Sequence, residues 1–534
     1  MNQGVVMHTE MRLIDLIVLL IYFIAMAGMG PYFARRNKTT ENYFLGGRSF
    51  PGWLIGLSMF ATSISSITFV AYPADAYKTA YLRFMLCLTL PLGIFLASKI
   101  FLPFYRRARV TSAFEYLEVR FGAGTRSYAA VVFLITQVAR LGLVLYLVAI
   151  LVQEMTGLSA GWCILIGGIV TSFYTITGGI EAVIWTDFFQ SFLLWFGGFA
   201  ILAVAVSQID GGFATVFKVA AEDSKFMLGD LNAAGELVKA PWGFSLTEKT
   251  VLMMLVVGLN NWLTEYSSNQ NVIQKYVATK NPKEATQAIW ICCLCSLPTW
   301  FFFMFIGTAL YVYFKLNPDP AAQAMLLGTD GARADAIVPY FVVQKLPAGL
   351  SGLVIAGVLA AAMSSLSSSI NAISAVSIVD IYKRHLAKNR SEKHYMNMAR
   401  IISLVASLLM LAFAFMLLSV TEKTLQDTAT KITAILGGGL LGLYCLGFLT
   451  KRGDGRAVFS GIVFVLAFST WVTLTEAKLI PKFLPFETYY AGLVGNVLFF
   501  AIGYLLAAAF FKPRRDLTNL TIWTQTDDWK ALND

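Results

Sequence analysis

Leu57-Ser58-Met59-Phe60-Ala61-Thr62-Ser63-Ile64-Ser65-Ser66-Ile67-Thr68 is the stretch that decides the fold of this chain. It sits inside an apolar window from 51 to 77, yet six of the eleven positions from Ser58 to Thr68 carry hydroxyls. A window of that length can cross a bilayer. Hydroxyls satisfy backbone groups freed where a membrane helix unwinds, and unwound backbone persists in a bilayer only where it lines a cavity or is buried in protein. The stretch therefore predicts a broken helix, with close helix packing through small residues as the alternative.

Similar apolar windows recur along the 534 residues, in keeping with 57% hydrophobic residues, 13% charged residues and a mean hydropathy of +0.66. Soluble domains carry about a quarter charged residues, so the chain is predicted to be a multi-pass protein of the cell (inner) membrane. The windows fall at 13–34, 51–77, 80–104, 127–154, 158–177, 183–207, 250–275, 287–314, 351–381, 398–420, 428–450, 456–476 and 487–511. Thirteen helical spans are expected from them. A transmembrane barrel would instead show alternating segments of about ten residues, and the chain has none. Repeated spans also argue against reading the first window as a signal peptide.

The net charge of +10 does not point to nucleic acid, because most of it lies between the spans. Arg35, Arg36, Lys38 and Arg48, then Arg106, Arg107 and Arg109, then Lys383, Arg384, Lys388 and Arg390 occupy alternate loops. Asp210, Glu222, Asp223, Asp230 and Glu236 enrich the longest opposite segment. The positive-inside rule then places the N-terminus outside and the C-terminus inside. The six cysteines all fall in apolar windows and read as packing residues, with no disulfide. The tail from 512 to 534 is too short for an independent domain. The whole chain reads as one transmembrane unit.

A second hydroxyl cluster, Ser364, Ser365, Ser367, Ser368 and Ser369, lies in the ninth window. Ser364 and Ser368 share a helix face, so the stripe can aim several oxygens at one point, as a hard cation requires. The same residues with Ala361 and Ala362 would also make a small-residue packing face. Ionisable residues within spans mark pathways by default. Asp187 is either a cap near a helix start or the carboxylate of a cation site. Arg140, midway along its span, needs an anion: a substrate carboxylate, or Glu265 of the seventh span. Glu265 is equally open to pairing, to protons or to a water-filled cavity.

Taken in order, several motifs resemble the solute:sodium symporter family over nearly the whole chain. They are Asn42 to Arg48, Thr111 to Phe121, Tyr174 to Asp187 with Gln190, the trio Asn269, Gln270 and Gln274, the serine segment ending at Asp380 to Tyr382, and Gly437 to Gly439 with Gly442. The resemblance implies an all-α bundle of the leucine-transporter type, with five-plus-five inverted repeats at 51–207 and 250–450. One extra span at 13–34 precedes them, two at 456–511 follow, and the second and seventh spans are discontinuous. It implies a sodium site from the carbonyls of Ala61, Ile64 and Ala361 and the hydroxyls of Ser364 and Ser365. A second sodium site, held by some members only, maps to Asp187, Ser364, Ser367 and Ser368.

Within the family the pattern is nearest to bacterial sialic acid symporters, which implies substrate contacts at Ser63, Ser65, Thr68, Cys87 and Arg140. Cys87, Arg83 and Glu265 depart from that pattern, which has a glutamine, an aromatic and an amide there. The expected activity is sodium-coupled import of a small solute, a carboxylated sugar such as sialic acid, by alternating access. A symporter of neutral sugars or polyols, with Arg140 locked to Glu265, is the alternative; a non-transporting membrane sensor is a more distant one. No paired catalytic groups converge, so an enzyme is not expected. The expected partners are the small-molecule substrate, sodium ions and the lipid bilayer.

Overall fold

Inside a bilayer every backbone polar group needs a partner within its own segment, so this sequence has to fold as helices wherever it spans. The computed structural model describes residues 11–108, 110–232, 234–328, 334–419, 438–476, 479–481, 485–511 and 515–527, with the backbone alone at Ser66 and Ile67. Among the described residues nine helices are long and apolar enough to cross a membrane. A tenth span is a pair bent by 56°, formed by α3 (Gly52–Ser63) and α4 (Ser66–Lys78).

The bundle is built on three of these helices: α1 (Leu13–Ala34), α9 (Ala160–Ser207) and α16 (Leu350–Val376), which pack against one another. Asp15 of α1 is buried and fixes the start of α16, accepting from the Gly349 and Gly352 N–H groups at 2.7 Å each and from Ser351 Oγ at 2.9 Å. A carboxylate at a helix N-terminus satisfies orphan donors and suits the helix dipole. The serine stripe is thereby held at a fixed height in the bundle.

The windows 158–177 and 183–207 fall within the one helix α9 of 48 residues, interrupted at Gly179 with φ 58° and ψ −154°. Only glycine adopts that conformation freely. A side chain at Gly179 would also press on the Tyr43 ring and carbonyl. The part from 160 to 178 is about 28 Å long, enough to span.

The hydroxyl-rich ninth window is an unbroken α-helix as far as Val376, continuing as a π-helical segment at Ser377–Leu386. The window 250–275 is instead the interrupted one, as α11 (Val251–Ser268) and α12 (Gln270–Val277). Of the window 428–450, residues 428–437 lie outside the described residues, as do Arg109, Gly437 and 512–514; Leu440–Leu449 is helical. Between α9 and α11 lie α10 (Gly212–Glu222) and a two-stranded antiparallel hairpin, β1 (Gly229–Leu231) with β2 (Leu237–Lys239).

Charge is spent on element ends. Arg120 is 1% exposed and donates to the carbonyls of Gly447, Thr450, Arg452 and Gly453, closing the C-terminal end of the helix Leu440–Leu449. Asp380 is buried and pairs with Arg126 at 2.6 Å. Arg126 also holds Glu118 at 2.8 Å, and Glu118 pairs with Arg384. At the C-terminal end of α4, Lys225 is buried and donates to the carbonyls of Tyr77 and Thr79 at 2.8 Å each, with its ammonium 4.1 Å from the Tyr311 ring centroid. Burial lowers the Lys225 ammonium to about 8, against a smaller opposing pull from Asp223.

Candidate functional site

The first break falls within the hydroxyl-rich stretch, at Ile64 (φ −90°, ψ 103°) and Ser65 (φ −94°, ψ 171°). In a continuous helix the N–H groups of residues 65 and 66 would reach the carbonyls of Ala61 and Thr62. The break withdraws them, and α16 supplies hydroxyls instead: Ser364 Oγ donates to the Ala61 carbonyl at 2.8 Å and Ser365 Oγ to the Thr62 carbonyl at 3.1 Å. Ser364 Oγ is also 3.2 Å from the Ala361 carbonyl. Carbonyls of Ala61 and Ala361 and the hydroxyls of Ser364 and Ser365 thus meet in one buried cluster, with Ile64 buried at the break. The family resemblance grouped these residues; the structure joins Ser364 to the Ala61 and Ala361 carbonyls and places Ser365 on the adjoining carbonyl of Thr62.

The next turn of the stripe meets a charged group. Asp187 lies eight residues past Gly179, inside the second part of α9 rather than at a helix start, and is fully buried. It is therefore not a cap. Its Oδ2 accepts from Ser58 Oγ at 2.7 Å and from Lys275 Nζ at 2.7 Å. Its Oδ1 is buried and, among the described residues, has no hydrogen-bond partner. Lys275, 1% exposed, also donates to the Ser58 carbonyl at 3.0 Å and to Thr62 Oγ1. Thr62 Oγ1 in turn lies 3.1 Å from Ser368 Oγ. Ser367 Oγ donates to the Ser364 carbonyl at 3.1 Å.

Lys275, Ser58 and Thr62 were not singled out from the sequence. Lys275 closes the window 250–275 and precedes Lys280 by five residues, so it reads there as the basic flank of a span. A lysine that terminates an apolar window and one that enters a polar core have the same local sequence. Only the partner on α9 distinguishes them.

The second break lies at Asn269 (φ −83°, ψ 111°), whose side chain accepts from the Asn271 N–H at 3.0 Å and donates to Glu265 at 2.9 Å. The carbonyls of Tyr266 and Ser267 are taken by Tyr276 OH at 3.3 Å and Tyr105 OH at 2.6 Å. Asn271 reaches Gln137 of α8 (Ala123–Thr156) and Ser369 of α16, each at 3.2 Å. The second break is thereby joined to the serine stripe.

Arg140 stands one turn beyond Gln137, at the middle of α8, and among the described residues it has no ion pair. Glu265 is engaged by Asn269, so the internal Arg140–Glu265 pair does not form. Arg83 pairs with Asp75 of α4, and the buried Cys87 thiol lies 3.2 Å from Tyr72 OH. Ser63 Oγ donates back to the Met59 carbonyl at 2.9 Å and lies 3.8 Å from Cys292 Sγ. Ser65 stands at the start of α4 and Thr68 is buried one turn inside it.

An interrupted span whose freed carbonyls face a serine-lined helix, beside a second interrupted span, defines an ion-coupled membrane transporter of the leucine-transporter type. The chain belongs to the sodium:solute symporter family, whose profile matches residues 43–464. It is a multi-pass membrane symporter with sodium as its coupling ion. It is 30% identical over 505 residues to the sodium/sialic acid symporter NanT of Aliivibrio fischeri, covering 93% of each chain. The sodium/sialic acid symporter SiaT of Proteus mirabilis is 32% identical over 459 residues, 85% of this chain and 88% of that one. A Na+-coupled sialic acid symporter solved in a substrate-bound outward-open state superposes with a TM-score of 0.82 at 30% identity, covering 95% of this chain and 100% of that one.

Proposed function

We propose that this symporter imports a carboxylated sugar of the sialic acid type together with sodium, by alternating access, and that Arg140 receives the substrate carboxylate. The observation that carries this reading is Arg140 itself: a guanidinium at mid-span with no ion pair among the described residues, one turn from the side chain that contacts the second break. Arg140 is half-buried, and its planar fork matches a carboxylate. Arg83 is already neutralised by Asp75, and Lys275 by Asp187. The relatives named as sialic acid symporters support the same substrate class. Ser63, Ser65, Thr68 and Cys87 complete the proposed substrate contacts. Cys87 is a poor hydrogen bonder already engaged by Tyr72, which favours substrates that ask little of that position.

Sodium would replace the serine donors at the first break, bound by the carbonyls of Ala61, Ile64 and Ala361 and by Ser364 and Ser365. Hydroxyls that donate to carbonyls here become ligands when a cation arrives, because oxygen both donates and accepts. A second sodium would use Asp187, Ser364, Ser367 and Ser368; the partnerless Oδ1 of Asp187 supports it. Sodium joins the first broken span to α16, so sodium and substrate raise each other's affinity by the same factor. The proposed organisation is two inverted repeats, 51–207 and 250–450, with the N-terminus outside and the C-terminus inside. The extra spans are 13–34 and 456–511, and 512–534 is the cytoplasmic tail.

The test is sodium-dependent thermal stabilisation by sialic acids, other sugar acids, neutral sugars and polyols, followed by uptake into proteoliposomes. A sugar acid is expected to stabilise the protein in sodium and not in potassium. Arg140→Ala is expected to weaken its binding by about 2–5 kcal/mol, the range for removing one partner of a buried charge pair. Unchanged acid affinity in Arg140→Ala, or stabilisation by a neutral sugar that survives the substitution, overturns the carboxylate reading.

A further inference from the structure

Lys275 is a buried charge that the family's sodium positions do not include. Lys275 lies on α12, the short half of the second broken span, and its ammonium is fully coordinated by three acceptors on two other elements. These are Asp187 Oδ2 of α9, the Ser58 carbonyl and Thr62 Oγ1 of α3. Ser58 Oγ closes the ring by donating to the same carboxylate oxygen. An ammonium held by a carboxylate, a carbonyl and a hydroxyl has the oxygen shell that a sodium ion would choose.

We propose that Lys275 is a tethered cation that opposes sodium at Asp187 and so sets the sodium affinity of the second site; this rests on the two-sodium reading above. The geometry divides the carboxylate. Oδ2 is committed to the lysine and to Ser58, while Oδ1 is buried, partnerless and left for the mobile ion. One negative charge then faces two positive ones. Each cation weakens the hold of the other, as like charges sharing one site do. Thr62 extends the opposition to the first site, because its hydroxyl accepts from Lys275 while its carbonyl accepts from Ser365.

The tether also gives the opposition a direction. Lys275 is carried by the short helix α12, whereas Asp187 stands inside the long helix α9. A conformation that seats α12 against α3 brings the ammonium onto Asp187 and favours sodium release. A conformation that withdraws α12 leaves the carboxylate to sodium alone. In this reading the lysine acts on the ion cycle through Asp187, as a positioning residue.

The experiment is a sodium titration of thermal stability on the full chain without substrate, at constant ionic strength made up with potassium, for the wild type, Lys275→Gln, Lys275→Arg and Asp187→Asn. Lys275→Gln is expected to melt earlier in potassium and to need about tenfold less sodium for half-maximal stabilisation, the change that removing one nearby like charge produces. Lys275→Arg keeps the charge and is expected to keep the wild-type sodium requirement. It serves as the deciding variant if Lys275→Gln does not fold: a fall as large as tenfold in Lys275→Arg overturns the proposal. An unchanged or raised sodium requirement in folded Lys275→Gln overturns it as well. Asp187→Asn separates the two layers of the argument. If it flattens the sodium dependence while Lys275→Gln changes nothing, the second sodium stands and the tethered cation falls. If neither variant alters the sodium dependence, the second sodium itself is wrong.

Discussion

The two broken spans solve one backbone problem in different ways. At the first break the freed carbonyls of Ala61 and Thr62 are taken by Ser364 and Ser365, short hydroxyls on a neighbouring helix. At the second, the carbonyls of Tyr266 and Ser267 are taken by Tyr276 and Tyr105, whose rings are fully buried. A serine hydroxyl rotates freely and can exchange its carbonyl for a cation at little cost. A tyrosine hydroxyl is carried by a packed ring and stays where the ring stays. The first break is therefore built to trade partners and the second to keep them. Lys275 connects the two, since it rides on the second and reaches into the first.

Substitutions test that contrast, and the largest effect is expected where the two breaks meet. Asp187→Ala leaves Lys275 buried without its counter-charge, and should cost about 3–5 kcal/mol of stability in potassium, seen as a fall in melting temperature. Retention of wild-type stability would mean that the ammonium leaves the core when unpaired. Next comes the exchangeable break. Ser364→Ala with Ser365→Ala should raise the sodium needed for half-maximal uptake by about tenfold to a hundredfold, roughly 1–3 kcal/mol for two hydroxyl ligands.

Lys225 anchors the far end of the first broken span through carbonyls alone, and its protonation provides a pH test. Its folded value of about 8 lies below the usual value near 10.5, so the unfolded chain holds the proton more tightly over that interval. Stability contributed by this group therefore rises from about pH 8 to 10.5, by at most about 1.4 kcal/mol per pH unit. Lys225→Met should flatten the slope in melting curves compared across that window. The smallest effect is expected at the locked break: Tyr105→Phe should cost about 0.5–1.5 kcal/mol and leave sodium dependence unchanged. A sodium effect there would mean that the second break also exchanges partners.

Much of this was legible in residue order. The first break was readable because six hydroxyls crowd a span that composition alone would keep apolar. Arg140 was readable because depth in a span is a property of sequence position. The second break was not, since Asn269 and its neighbours resemble any polar span end, and only family resemblance assigned it. The serine stripe was open between an oxygen-lined face and a packing face; it is a continuous helix to Val376 whose Ser364 and Ser365 hydroxyls answer carbonyls on α3.

The sequence by itself determined the membrane class, the windows of most spans, the two hydroxyl-rich segments and the mid-span place of Arg140. These follow from local composition, which bilayer burial constrains strongly. Only the tertiary structure decided that Arg140 does not pair with Glu265, that Asp187 lies inside a helix facing Lys275, and that Asp15 fixes the start of α16. The contacts of Asp187 with Lys275 and of Asp15 with the start of α16 join residues 88 to 337 positions apart, and a buried charge takes whichever partner the packing brings to it.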